Sequence, residues 1–434
     1  MKKIVLVIAA LGLLLSPAWA QKEYGLQFSN LLNEELTLES AIRLGLENNN
    51  RFLAAQQDIV IAEQKVKQAK FLFLPQFSVQ ATATWYDLDY PMVLPESVAN
   101  RFIPSNDSFS EDTKHQFLGV GVSATQYLYS GGRLRGTLKM AQANLKQAQS
   151  KYEAVKNAIV RDIKKAFFEL LYAQYNLELA EQVQQKSLAY KKSLQANAWE
   201  KIKAQYLLAQ IASQKNAATN EVQKAQLAML VQLNKELNSQ ITVKGDFKPV
   251  EVSLDLPHLN LWSMEFRPEL KAAIYALELD NLAIELALSR RYPDVILTGN
   301  YEKLGFEDLE DVNKQISLAV RLPLSYNIFT QSTQRKAEQR QSTLRRANIE
   351  DSIRVQVAEN YANMVFWQAE VFSRQSDWED MQKALSVAEH NHRPSVQALE
   401  ALEAYYHMGQ AYYRAVRDNL AAKASLEWAI GRDL

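Results

Sequence analysis

The chain has 434 residues, 49 Lys+Arg balanced by 49 Asp+Glu, and no cysteine. A formal net charge of zero leaves no basic footprint for nucleic acid, and the missing thiols exclude disulfides, thiolate metal sites, cysteine nucleophiles and a lipid-modified N-terminal cysteine together. With only 13 glycines and 11 prolines, roughly half of average usage, few turns serve many residues. The elements are therefore expected to be long and, given the abundance of Ala, Leu, Gln, Lys and Glu, mostly helical.

The N-terminus has the three-part plan of a secretory signal peptide: Lys2 and Lys3, an apolar run over 4–15, then Ala18-Trp19-Ala20, with cleavage expected after Ala20. No later segment is apolar enough for a membrane-spanning helix, so any crossing of a membrane falls to strands. The first helix is expected over 37–70, with Thr37 as N-cap and Leu38, Ile42, Ala55, Ile59, Ala62, Val66 and Ala69 at helical spacing, ending before Pro75. A strand follows at about 76–86, with Phe77, Val79, Ala81, Ala83 and Trp85 on one face and Ser78, Gln80, Thr82 and Thr84 on the other. A polar loop with Pro91, Pro95 and Pro104 leads to a second strand at about 115–129, where Leu118, Val120, Val122 and Ala124 oppose Gly119, Gly121, Ser123 and Thr125.

Between Gly136 and Gly245 there is neither glycine nor proline. Leu134, Leu138, Ala141, Leu145, Ala148, Tyr152, Val155 and Ile159 form a heptad-type seam of the coiled-coil kind. One helix over that span would measure about 160 Å, so a hairpin is expected, with arms of about 70–90 Å and a turn near 194–199. The same plan then recurs. Arg267-Pro268 opens a helix to about residue 291. Strands follow at about 293–303, with Val295, Leu297 and Tyr301 opposite Asp294, Thr298, Asn300 and Glu302, and at about 314–324, with Ile316, Leu318, Val320 and Leu322 opposite Gln315, Ser317, Ala319 and Arg321. A long helical stretch closes the chain. The division expected is a signal peptide at 1–20, a first repeat at 21–245, a linker at 246–266 within a polar, proline-bearing stretch, and a second repeat at 267–434.

Each strand alone would suit a soluble sandwich. Four of them, two-faced and each joined to a long charged helix, point instead to a wall with lipid on one side and water on the other. Four strands cannot close, and an open edge in lipid leaves backbone groups unpaired at several kcal/mol each. The smallest such barrels have about eight strands, so the barrel must be shared between chains. The class expected is an α+β membrane protein: four strands per chain in a shared barrel, and long α-helical coiled-coil hairpins projecting into the aqueous compartment.

The stretches LTLESAIRLGLENN, FLPQFSVQATATWY and QYLYSGGRLRGTLKMAQANL resemble the TolC-like outer-membrane efflux protein family, most specifically at Tyr129-Ser130-Gly131-Gly132-Arg133, and the likeness covers nearly all of the mature chain. The resemblance implies a homotrimer in the outer membrane with a large periplasmic portion. It implies a trimeric, 12-stranded outer-membrane β-barrel open to the outside and a tunnel of twelve long helices below it. It also implies a periplasmic adaptor (membrane fusion) protein and an inner-membrane pump as partners, passage of small molecules or, in type I secretion, of proteins, and no cofactor. Gly131 and Gly132 would turn barrel wall into tunnel wall, with Asn327 taking that place in the second copy. By the same match HRPSVQALEALEAYY is the periplasmic tip. Arg393 would link hairpins, Glu400 would stand at one acidic ring of the pore, and Gln397 at a second ring where the family often has aspartate. Glu400 also suits an ordinary solvated helix position.

Arg321 is expected to face the lumen. Trp85, Tyr86, Tyr127, Tyr129, Tyr292 and Tyr301 lie near strand ends, where interfacial belts form. His390 and His392 do not share a helix face and make a poor metal pair. No phosphate loop, H-E-x-x-H or G-x-S-x-G is present, so no enzyme is expected. The alternative from another class is a soluble periplasmic coiled-coil adaptor or scaffold.

Overall fold

In the computed structural model, residues 35–87, 114–193, 197–239, 241–305, 309, 311–322, 327–391 and 395–434 are described. The expected signal peptide and the loop around Pro91–Pro104 lie outside them. The elements run β1 (Glu35–Leu36), α1 (Leu38–Asn48), α2 (Asn50–Phe71), β2 (Gln76–Asp87), β3 (Lys114–Ser130), α3 (Arg133–Ser193), α4 (Ala198–Leu233), β4 (Thr242–Val243), α5 (Leu256–Phe266), α6 (Pro268–Ser289), β5 (Asp294–Gly305), β6 (Asp311–Arg321), α7 (Asn327–Asn391) and α8 (Val396–Ile430). The order α1-α2-β2-β3-α3-α4 recurs as α5-α6-β5-β6-α7-α8. The first two helices of each copy have 11 and 22 residues, and the hairpin helices have 61 and 36 in one copy and 65 and 35 in the other.

Local chemistry explains where these elements begin. The Thr37 hydroxyl caps α1 by accepting from the Ser40 amide at 3.3 Å. The stretch expected as one helix over 37–70 is two, because Asn49 adopts extended backbone and its side chain accepts from the amides of Arg51 and Phe52, at 2.9 and 3.3 Å, starting a new helix. Within the stretch read as linker, residues 256–266 form α5. Pro257 lies in its first turn, where a missing N–H costs nothing. The hairpin turn falls between Ser193 and Ala198. Asn197 and Glu200 satisfy each other's backbone amides there in a capping box, at 2.9 Å each way. β6 starts and ends about three residues earlier than expected: it pairs with β5 out to Asp311, and Pro323 just beyond has no amide to extend the ladder.

The hairpin arms are unequal. The α3 helix is about 90 Å long and α4 about 54 Å at 1.5 Å per residue. α4 stops at mid-length, where Asn234 takes left-handed backbone (φ 49°) and its side-chain amide donates to the Asn48 carbonyl at 2.9 Å. The remaining upper length of the bundle is supplied by α2 and α6. Three apolar clusters hold the bundle. One gathers Ile163, Phe167, Leu170, Met229 and Leu233 around the short parallel β1–β4 pair. A second runs down the hairpins through Leu179, Val183, Leu207, Ile211, Leu385, Leu399 and Leu402. The third packs Leu259, Leu270, Val357, Met364 and Leu426 beneath the second repeat. Beside it Arg267 is 2% exposed. Its guanidinium donates to the Ala429 carbonyl, Gln356 and Glu269 at 2.8–2.9 Å and lies 4.1 Å from the Trp428 ring centroid, so the buried charge is fully partnered.

The four long strands form one antiparallel sheet in the order β2-β3-β5-β6. Beneath it α2 packs on α3, α3 on α6, and α6 on α7. The helices thus continue the strands one for one, in the same order.

Candidate functional site

The register aligns the alternation of all four strands. On one face Gln76, Thr125, Thr298 and Ser317 stand in one row and Ser78, Ser123, Asn300 and Gln315 in the next. The Ser78 and Ser123 hydroxyls are 2.6 Å apart in a hydrogen bond. On the other face the rows are Phe77, Ala124, Gly299 and Ile316, then Val79, Val122, Tyr301 and Lys314. Among the described residues, nothing packs on that second face: Phe77 is 73% exposed and Ile316 86%, and Val79, Val122, Leu318 and Val320 are exposed as well. A contiguous apolar face of this size on a folded chain marks a contact with lipid or protein. Among the described residues, both edges, β2 and β6, are unpaired within the chain. They run in opposite directions, so β6 of one copy can take β2 of another in the same antiparallel alternation.

At the foot of the sheet the chain turns from strand to helix. A bulge between Tyr127 and Tyr129 sets Tyr127 opposite Ile296 and Tyr129 opposite Val295, placing these two tyrosines on opposite faces. Gly131 and Gly132 then adopt φ of 56° and 84°. Gly131 is doubly constrained, because a Cβ there would lie 2.5 Å from Tyr292 Cβ and 2.8 Å from the Ser289 carbonyl oxygen. The first residue of α3, Arg133, pairs with Asp294, the first residue of β5. The Leu134 amide donates to Ser130 Oγ at 3.4 Å, and Gln126 reaches back to the Phe73 carbonyl at 3.1 Å. In the second copy Asn327 is already the first residue of α7. Residues 323–326, between β6 and α7, lie outside the described residues. The sequence-expected junction residues therefore meet at Gly131 and Gly132 and not at Asn327.

At the opposite end the two hairpins are bolted together near their tips. Glu389 on α7 accepts from Lys186 Nζ and from the Tyr190 hydroxyl on α3, both at 2.8 Å. Burial works to raise the Glu389 carboxyl, but these two donors outweigh it and hold it below the usual range, while burial and the Glu389 carboxylate push the Tyr190 phenol up to about 12. Glu400 on α8 is 2.5 Å from Lys203 on α4. One turn along, Glu403 accepts from Gln210, and His407 is 3.3 Å from Gln214. Glu400 is therefore not a bare carboxylate. Its neighbour Gln397 is exposed. Arg393 and His392 lie outside the described residues, as does the His390 side chain. The Glu389 and Lys203 contacts were missed in the sequence because they join residues far apart in the chain.

The depressed Glu389 carboxyl contributes stability above its ordinary pKa and loses it as pH falls through the folded value. The raised Tyr190 phenol contributes below pH 10 and loses it as pH rises toward 12. Glu389→Gln should accordingly speed hydrogen exchange at the ends of α3 and α7 about 2- to 5-fold at pH 7, the scale of an exposed, screened ion pair. The difference should vanish once pH has fallen through the lowered Glu389 value. Equal exchange at pH 7 would mean that the bolt contributes nothing.

Among the described residues, no helix is long and apolar enough to cross a membrane, and no group of acidic or histidine side chains could hold a metal. Arg321 closes the polar face, opposite Asp294 in register, and is exposed. Tyr127, Tyr129, Tyr292 and Tyr301 are exposed too, whereas the side chains of Trp85 and Tyr86 are outside the description.

The profile of the outer membrane efflux protein family matches residues 41–199. More than nine tenths of the chain shares the fold of solved outer-membrane channels. It is 15% identical to the Campylobacter jejuni CmeC outer membrane channel, with a TM-score of 0.74 over 94% of this chain and 90% of that one. Against the open state of the Neisseria gonorrhoeae MtrE outer membrane channel it is 17% identical, with a TM-score of 0.73 over 91% and 89%. Against VceC of Vibrio cholerae it is 15% identical, with a TM-score of 0.71 over 91% and 96%. Among curated proteins compared by sequence, none matches. The fold it shares with those channels combines, in this chain, a four-stranded sheet bearing an exposed apolar face with a bundle of long helices.

Proposed function

We propose that three copies close into a twelve-stranded barrel with a twelve-helix tunnel below it. This assembly would serve as the passive exit duct of a tripartite efflux or type I secretion machine, receiving cargo through a periplasmic adaptor from an inner-membrane pump. The observation that carries this is the match of order between β2-β3-β5-β6 and α2-α3-α6-α7, together with an exposed apolar face and two open edges. A soluble scaffold would have to leave all three unexplained. In this assembly the polar rows and Arg321 line the lumen. Residues 1–20 are the export signal, 21–245 and 267–434 are the two repeats, and Gly131-Gly132 mark the change from barrel to tunnel.

In this reading Glu400 and Gln397 face the narrowing pore at the tip, and Arg393 keeps the hairpin-linking role that the family resemblance gives it. Because Lys203 sits on each Glu400, the ring is close to neutral. The test is single-channel recording of the detergent-purified mature protein in a planar bilayer. Wild type should give discrete conductance with weak ion preference. Lys203→Ala, which uncovers three carboxylates at one level, should raise cation preference about 2- to 5-fold, and adding Glu400→Ala should return it to the wild-type value. Conductance indifferent to both changes would move the constriction elsewhere. A protein that never inserts would leave the scaffold reading.

A further inference from the structure

The apolar face of the sheet carries two cations. Lys303 stands in the row Ala81, Val120, Lys303 and Val312, and Lys314 in the adjacent row Val79, Val122, Tyr301 and Lys314. The two lysines are diagonal neighbours across β5 and β6, a spacing of about 7–8 Å between backbones. Both are exposed. The nearest carboxylate along β5 belongs to Glu302, which alternates to the opposite face. There its side chain lies against Gly121, 3.3 Å from where a Cβ would be. Every row-mate of the lysines on their own face is uncharged. The contact found for Lys314 is with the Tyr301 ring, whose centroid is 5.8 Å from Nζ.

Their height can be counted from the foot of the sheet. Lys314 is six residues from Val320 and Lys303 eight from Val295, roughly 15 and 20 Å at the usual rise and barrel tilt. The apolar band of such barrels is about 25 Å tall. Both lysines therefore fall in its upper part, on the side away from the helices, where a butylammonium stem can lie along apolar wall and lift its charge to the head-group level. An unpaired cation costs about 2–4 kcal/mol at mid-membrane and little near the boundary. Two side by side repel each other unless an anion bridges them.

We propose that Lys303 and Lys314, with Tyr301, form a site on the barrel exterior that binds the phosphate groups of anionic lipid in the outer leaflet. The inference rests on the barrel reading above and adds a lipid partner to it. With one pair per chain, a trimer would carry three such sites. The expected ligand chemistry is a lipid with closely spaced phosphates, since a single diffuse charge would leave one lysine unmatched.

The test uses the full mature chain, purified in detergent and reconstituted in vesicles of phosphatidylcholine doped either with lipid A bearing both phosphates or with lipid A stripped of them. Lipid retained after re-extraction is counted by native mass spectrometry, and channel conductance is recorded on the same preparations. Wild type should retain the phosphorylated lipid about 10-fold better than the stripped one. Lys303→Gln with Lys314→Gln should lose that preference at unchanged conductance, and Lys303→Arg with Lys314→Arg should keep it. Equal retention by wild type and the glutamine variant, with both conducting, would overturn the lipid site and leave the channel intact. A chain that neither inserts nor conducts would overturn both.

Discussion

Gly131→Ala should abolish most of the assembled channel, whereas Gly132→Ala should only weaken it. Both glycines have positive φ, and an alanine forced into that region costs about 1–2 kcal/mol. That cost is common to the two variants. At Gly132 nothing lies within 4 Å of the added methyl, so the backbone term is the whole effect. At Gly131 the methyl meets Tyr292 Cβ at 2.5 Å and the Ser289 carbonyl at 2.8 Å. Neither obstacle is the free end of a flexible chain. Tyr292 Cβ moves only with its backbone, and Ser289 is the last residue of α6. Overpacking of this kind adds about 1–3 kcal/mol, for a total of about 2–5 kcal/mol per subunit, felt three times in a trimer. The readout is the fraction of heat-resistant oligomer in detergent. It should fall below about one tenth of wild type for Gly131→Ala and stay above about half for Gly132→Ala. Equal losses would mean that backbone freedom alone governs the junction and that the Tyr292 contact is slack.

The contrast between those two glycines shows what the sequence makes legible and what it hides. Positive backbone angles at a strand-to-helix turn are readable from a Gly-Gly pair, because so few residues tolerate them. The crowding by Tyr292 is not, since it depends on β5 arriving beside β3 from the other repeat. The same division runs through the molecule. Strand alternation, proline boundaries and the heptad seam from Leu134 to Ile159 are local patterns and predict local structure. The break at Asn49 and the capping box at Asn197 and Glu200 are local as well. They were passed over because a single asparagine within a helical run is an ordinary residue until its side chain is known to turn back on the backbone. The tip contacts of Glu389 and Glu400 are joined only by the packing of one hairpin on the other. Lys303 and Lys314 lie between: their face follows from the alternation, but their proximity needs the β5–β6 register.

That register also sets the depth at which a charge on the outer face is tolerated, and Ile316→Arg exploits it. Ile316 lies one row below Lys314 and four residues above Val320, close to mid-membrane in a band about 25 Å tall. An arginine there has water within reach neither above nor below. It should cost about 2–4 kcal/mol per chain, three times over in the assembly. In a soluble scaffold, by contrast, replacing an isoleucine that is 86% exposed should shift stability by no more than about 0.5 kcal/mol in either direction and improve solubility. Gln315→Arg supplies the internal control, because Gln315, next to Ile316 in sequence, itself faces the polar rows. It should assemble normally and alter only conductance. The measurement is the amount of heat-resistant trimer recovered from the outer-membrane fraction. The expected order is wild type equal to Gln315→Arg, both far above Ile316→Arg. The reverse order would exchange lumen and exterior, since the two residues differ by one position in a strand whose period is two. Equal recovery of all three would take the sheet out of the bilayer.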